Sequence, residues 1–302
     1  MKNAITIDLE DYYQVSAFAD NVAVDQWDSF SSRIEENTAK LLSILSDCGT
    51  KATFFTLGWV AKTYPKLVRE IADQRHEIAC HSNVHRSVFA MTADEFRQDS
   101  LQAKQLLEDV IGTPVRGYRA PSFSITRNSL WAFEILAELG FSYDSSVFPI
   151  KHPNYGWPRA PRFPFTIKTA CGSITEFPMP TLKSGSARAP IGGGAYLRLL
   201  PYWYTRWAIR HINDSEDRSA CVYLHPWELD AEQPKMACNL SARLRHYFGL
   251  RGTERKFRRF LRDFEAQPLI CLIEELHSNP SPTSRERVPE VPLEELARYL
   301  GE

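Results

Sequence analysis

Short apolar runs alternate with amphipathic helices through the first half of this 302-residue chain, and the runs end on ionisable residues. Ala4-Ile5-Thr6-Ile7 reads as a buried strand and runs into Asp8-Leu9-Glu10-Asp11. Ile34, Leu41, Leu42 and Leu45 set a helical period over residues 33–47, with Gly49 as a stop. Residues 52–57 read as a strand, 65–74 as a helix with Pro65 in its first turn, and 76–80 as a strand that delivers His81. Thr92-Ala93-Asp94-Glu95 has the spacing of a capping box and opens a helix to about Ile111. A strand over 115–119, a helix over 128–139 closed by Gly140, and a strand over 141–144 follow. Strands and helices at these spacings imply parallel βα units in an α/β fold. Such folds carry their functional groups at the C-terminal ends of strands. Asp8, His81, Arg119 and Asp144 all fall at or just beyond such an end, so they are expected to share one site.

The pattern changes near residue 150. Lys151 to Pro164 is rich in proline and aromatics, and about 150–215 reads as an irregular insertion or lid around a short hairpin. Pro201 to Ile212 reads as a helix, and Ala220 to Leu224 as a strand ending at His225-Pro226-Trp227-Glu228. About 235–277 forms a C-terminal portion with a basic helix over 253–264 and a last apolar segment over 269–273. The expected organisation is one domain over 1–277, then a Pro- and Ser-led tail over 278–302 with a short helix, Leu293 to Tyr299.

Within that frame, His81-Ser82-Asn83-Val84-His85 carries the most chemistry. Two imidazoles four residues apart fall on one side of a helical turn, and neutral imidazole is a common ligand for zinc and related ions. Such pairs also arise by chance on solvated helices, so the case needs the carboxylates after the first strand. Two His and one carboxylate with open positions left over describe a catalytic metal site better than a closed structural one. Cys80 beside His81 reads as a small buried residue ending its strand. The net charge of −1 and pI of about 6.7 give no global field for nucleic acid or an anionic membrane. No apolar run approaches the length of a membrane span. The first eight residues lack the apolar core and cleavage site of a signal peptide, and six scattered cysteines suit reduced thiols. A cytoplasmic location is therefore expected, with association with a membrane assembly complex left open. Composition fixes no oligomeric state.

The ordered set Asp8-Leu9-Glu10-Asp11, His81-Ser82-Asn83-Val84-His85, Arg119-Ala120-Pro121, Tyr143-Asp144-Ser145 and Leu224-His225-Pro226 resembles the motif series of the NodB-type polysaccharide deacetylases, carbohydrate esterase family 4. The resemblance covers roughly residues 3–275. It is closest to the branch found with exosortase and PEP-CTERM exopolysaccharide loci and to the Helicobacter peptidoglycan deacetylase-like group. It implies a distorted, incomplete (β/α) barrel, one divalent metal ion (zinc first, with Co, Ni or Mn accepted), and removal of acetyl groups from an N-acetylated saccharide. It also implies His81 and His85 as metal ligands, Asp8 as general base and Arg119 as its ion-pair partner. Ser122 would supply a backbone oxyanion donor, His225 the general acid, and Asp144 the group that orients His225.

Two departures from the commoner pattern bear on the site. Leu9 separates the two carboxylates that are usually adjacent, which leaves Glu10 or Asp11 as the metal carboxylate. On a strand Asp8 and Glu10 share a face, which favours Glu10. Ser122 stands where an aromatic is common, so Phe123, with Trp227, is the candidate wall of a sugar pocket. Competing readings are a small cyclic amide or ureide hydrolase of the allantoinase-like type and a non-catalytic glycan-binding protein. Intact Asp8, Arg119 and His225 argue against the second, because binding alone needs no acid–base pair.

Overall fold

The computed structural model describes residues 1–19, 21–152, 155–185, 187–278 and 288–300. In chain order its strands are β1 (Asn3–Leu9), β2 (Thr53–Thr56), β3 (Glu77–Cys80), β4 (Gly117–Tyr118), β5 (Tyr143–Asp144), β6 (Phe165–Thr169), β7 (Gly172–Glu176), β8 (Thr181–Ser184), β9 (Ala187–Pro190), β10 (Cys221–Leu224), β11 (Ala266–Gln267) and β12 (Glu290–Pro292). The helices are α1 (Ile34–Asp47), α2 (Gly58–Thr63), α3 (Pro65–Asp73), α4 (Ala93–Ile111), α5 (Trp131–Glu138), α6 (Gly194–Leu199), α7 (Tyr202–Arg210), α8 (Leu240–Tyr247), α9 (Leu250–Asp263) and α10 (Leu269–Ser278).

β1 is buried at all seven positions, as a central parallel strand covered on both faces must be. The main sheet runs β10-β1-β2-β3-β4-β5-β7-β6-β12, with β11 against the start of β1. Every pairing from β10 to β7 is parallel, and only β6–β7 is antiparallel. Its ends do not meet, so the curved α/β sheet is open rather than a closed barrel. Alternate residues feed two cores. Ile5, Ile7, Phe54, Ile78 and Val222 face the helices, whereas Phe55, Ala79, Tyr143 and Tyr223 face the sheet's concave interior with Leu269, Leu272 and Ile273 of α10.

Capping fixes the helices that frame this sheet. Thr92 Oγ1 accepts from Glu95 N–H while Glu95 Oε2 accepts from Thr92 N–H at 2.7 Å, and α4 ends at Gly112 with φ 71°. The stretch expected as an irregular insertion is largely regular. β6 and β7 form a hairpin that extends the main sheet, β8 and β9 form a second hairpin, and α6 and α7 follow. The apolar segment after Pro268 is the helix α10. The tail returns as β12 on the edge of β6 and a 3-10 helix, Leu293–Tyr299, while residues 279–287 lie outside the described residues. No helix among the described residues is long and apolar enough to cross a membrane.

Candidate active site

Register does most of the assembly. Leu9, Thr56, Cys80, Tyr118 and Asp144 are Cα partners across β1 to β5. One residue further on, Glu10, His81 and Arg119 therefore leave the sheet in one row. Ile7 pairs with Leu224, which puts His225 beside Asp8.

Glu10, His81 and His85 converge, each offering a ligand atom, and these atoms all lie within 4.8 Å of one another. The side chains are almost fully buried. His81 Nδ1 donates to the carbonyl of Arg119 at 2.7 Å, which leaves Nε2 with its lone pair free. Burial holds the His81 imidazole down at about 4, so it is neutral. His85 Nε2 lies 2.7 Å from Glu10 Oε2, yet Oε2 has no hydrogen-bond partner, and His85 Nδ1 has none either. Orphaned buried polar atoms on converging imidazoles and a carboxylate are what a divalent cation satisfies, so these residues fit one.

His81 and His85 do not meet on a helical turn. The segment after β3 is irregular, and left-handed residues Ser82 (φ 72°) and His85 (φ 54°) fold it back. α2 and α4 pin it: Gly58 N–H and Trp59 N–H donate to the carbonyls of Ser82 and Asn83, and Asp99 accepts from Asn83 N–H. A Cβ on Gly58 would lie 2.4 Å from Asn83 Oδ1, so this close approach requires glycine. Non-glycine residues in that region cost free energy and persist only where surroundings hold them.

Asp11 is elsewhere. Its Oδ2 accepts from Ser32 Oγ at 2.7 Å and from Arg33 N–H at 2.9 Å, which ties it to the start of α1. The backbone turns after Leu9, with Glu10 N–H donating to Asp8 O, and this separates the two carboxylates.

Asp8 and Arg119 form a buried pair, Nη1 to Oδ1 at 2.7 Å. Arg119 has no exposed surface. It also donates to Thr6 Oγ1, to Ser145 O and Ser145 Oγ, and its guanidinium lies over the Phe55 ring at 4.1 Å. That leaves Asp8 Oδ2 facing His225 Nε2 at 3.9 Å, and the same nitrogen is 3.4 Å from Glu10 Oε1. His225, at 16% side-chain exposure, is the accessible member of this group.

The partner that orients His225 is Glu228, not Asp144. Glu228 Oε2 accepts from His225 Nδ1 at 3.1 Å and from His225 N–H at 3.0 Å. Glu228 is held in turn by Arg198, whose guanidinium donates to the carbonyls of Arg245, His246 and Phe248. Burial raises the Glu228 carboxyl, but Arg198 and His225 outweigh it and bring it to about 2. Burial lowers His225, but Glu10, Glu228 and Asp8 outweigh it and raise it to about 9. Asp144 lies at the end of β5 opposite Glu176 and accepts from Ser146 Oγ and Ser146 N–H. Burial, then Asp144, pushes Glu176 well above the usual carboxylate range.

The expected sugar wall is also displaced. Trp227 is sandwiched between His225 (centroids 4.9 Å) and His246 (4.1 Å), with Nε1 donating to Glu10 Oε1 at 3.2 Å. Phe123 is packed against Phe148, Tyr155 and Tyr223. Both rings are nearly inaccessible. Ser122 and Phe123 are both left-handed (φ 52° and 54°), and Ser122 Oγ bonds Ser16 Oγ at 2.6 Å. Glu228, Arg198 and His246 carried no assigned role in the sequence. Only Glu228 left a signal, three residues after His225 at the start of a short helix.

Residues 20–143 match the family profile of the polysaccharide deacetylases, and residues 145–271 match a domain of unknown function, DUF3473. The chain is 34% identical to a Bacillus cereus peptidoglycan-N-acetylglucosamine deacetylase over 100 residues, 33% of this chain and 36% of that one. It is 31% identical to the Helicobacter pylori peptidoglycan deacetylase over 115 residues, 37% of this chain and 38% of that one. The chain thus spans little more than a third of these relatives. A Mycobacterium smegmatis protein assigned to the polysaccharide deacetylases shares the fold, with a TM-score of 0.58 at 21% identity over 94% of both chains. Within the deacetylase match lie His81, His85 and Arg119. Asp8 and Glu10 precede it, and His225 and Glu228 fall in the DUF3473 region.

Proposed function

We propose that this protein is a metal-dependent N-deacetylase acting on N-acetylated amino sugars of an exopolysaccharide or its precursor. The observation that carries this reading is the convergence of Glu10, His81 and His85 with the Asp8–Arg119 pair and His225 in one cluster. Glu10, His81 and His85 would hold the cation, with zinc the first choice for two imidazoles and a carboxylate. When bound, a divalent cation polarises an acetamide carbonyl and makes water a competent nucleophile near neutral pH.

The remaining chemistry belongs to the chain. Arg119 occupies Asp8 Oδ1, so Oδ2 is left to take the proton of the attacking water. Glu228 accepts the Nδ1 proton of His225, which points Nε2 toward Asp8 and Glu10, where it protonates the leaving amine. The left-handed turn at Ser122 supports a backbone donor for the developing oxyanion. We take residues 1–277 as one catalytic unit and 278–302 as its tail. Six free cysteines support a cytoplasmic site of action.

Acetate release tests the reading, with N-acetylglucosamine oligomers and a lipid-linked amino-sugar precursor as substrates. Release that disappears on metal stripping, returns with zinc or cobalt, and is absent in His81→Ala is the expected result. No release from either substrate, with metal bound at unit stoichiometry, overturns it.

A further inference from the structure

Ten large hydrophobic residues are exposed among the described residues; Leu199, Trp203, Trp207, Leu240 and Leu244 fall on three helices, α6 to α8, and Phe248 directly follows α8. α6 and α7 pack on α9, and α6 is tied to the end of α8. Lys256 of α9 donates to the carbonyls of Leu197, Arg198 and Leu200, Arg259 lies over the Tyr202 ring at 4.8 Å, and Arg198 ties the end of α6 to Phe248 O. On α8, Ala242 and His246 are buried while Leu240 and Leu244, two residues before each, are exposed on the opposite face. The apolar face of this helix therefore points to solvent.

Charge says what it meets. Residues 240–263 contain eight Arg or Lys against two Asp or Glu, in a chain whose net charge is −1. Arg243, Arg245, Arg255 and Arg262 are exposed and form no ion pair among the described residues. Exposed Trp, Leu and Phe flanked by unpaired cations match the boundary layer of an anionic bilayer, where rings and aliphatic chains enter the headgroup region and guanidinium groups meet phosphates. A second copy of the chain would bring two cationic faces together, which repel. A sugar would use the tryptophans but leave the leucines and Phe248 in water.

We propose that α6 to α9 form a docking surface for an anionic lipid membrane, with α8 lying on it. The inner face of α8 reaches the active site through the stack His246–Trp227–His225, so docking would set the active site behind α8 from the lipid. Membrane docking does not depend on the deacetylase reading, since it can be measured without turnover.

The test is flotation of the full chain with vesicles of phosphatidylcholine alone and of phosphatidylcholine mixed with phosphatidylglycerol. The double variant Leu244→Glu, Phe248→Glu is run beside it. The expected result is binding to the anionic vesicles alone, weakened by salt, and reduced about tenfold or more in the variant at an unchanged melting temperature. No flotation with anionic vesicles at low salt overturns the proposal. So does a wild-type dimer that the variant breaks, or binding of chito-oligosaccharide at these helices in place of vesicles. Should the double variant not fold, Arg243→Glu with Arg245→Glu is the second arm, with the same two outcomes.

Discussion

Glu228 Oε2 lies 3.1 Å from His225 Nδ1 and accepts the backbone N–H of the same residue, so one carboxylate fixes both the tautomer and the orientation of the imidazole. Glu228→Gln keeps the shape and removes the charge. We expect kcat to fall by about 10–100-fold with metal content unchanged, the usual effect of losing a partner behind an active imidazole. Asp144→Asn, at the buried Asp144–Glu176 contact, should lower kcat far less. Steady-state acetate release by the two variants decides between these partners for His225.

Arg119 is fully buried, and its charge is answered by Asp8 alone among the carboxylates. Arg119→Met should leave that carboxylate uncompensated and cost about 3–5 kcal/mol of stability, as breaking buried pairs does. Arg119→Lys should recover little activity, because one ammonium cannot reach Asp8, Thr6 and Ser145 together. Denaturant midpoints alongside acetate release measure both effects.

Asp11→Ala removes the acceptor for Arg33 N–H at the start of α1. The expected loss is about 1 kcal/mol of stability, typical of a helix cap, with metal stoichiometry unchanged. Loss of metal in this variant would make Asp11 the ligand in place of Glu10.

The Glu77 carboxyl accepts from Thr53, Tyr143 and Ile270 N–H, and burial pushes it up to about 7. Between its ordinary value and that point the folded chain binds a proton that the unfolded chain has released. The Glu77 contribution is thus complete at acid pH and is lost as pH rises through about 7. Glu77→Gln should flatten that part of the stability profile. Urea midpoints from pH 4 to 8 would show it, and an unchanged slope in the variant would contradict it.

β1 to β5 and β10 were legible because strands buried on both faces must be apolar throughout, and their ends announced Asp8, His81, Arg119 and His225. β6 was not, because Pro161 and Pro164 stand just before Phe165–Thr169 and mark the segment as loop. The spacing of His81 and His85 suggested a helical turn. Their meeting instead depends on Ser82 and His85 in the left-handed region, which neither residue type signals. Glu10 and Asp11 are neighbours in sequence, and what parts them is Arg33, 22 residues further on. The basic helix expected over 253–264 gave no sign of an apolar stripe beside it, because that stripe lies on a helix, α8, that the sequence did not mark out.

Metal content and turnover of Glu10→Gln compare most directly with the central claim that Glu10, His81 and His85 form the cation site of a deacetylase. The zinc- or cobalt-reloaded variant should bind metal at least about tenfold more weakly than the parent and release no acetate, while melting near the parental temperature without metal. Parental metal stoichiometry and affinity, with acetate release intact, would contradict the account.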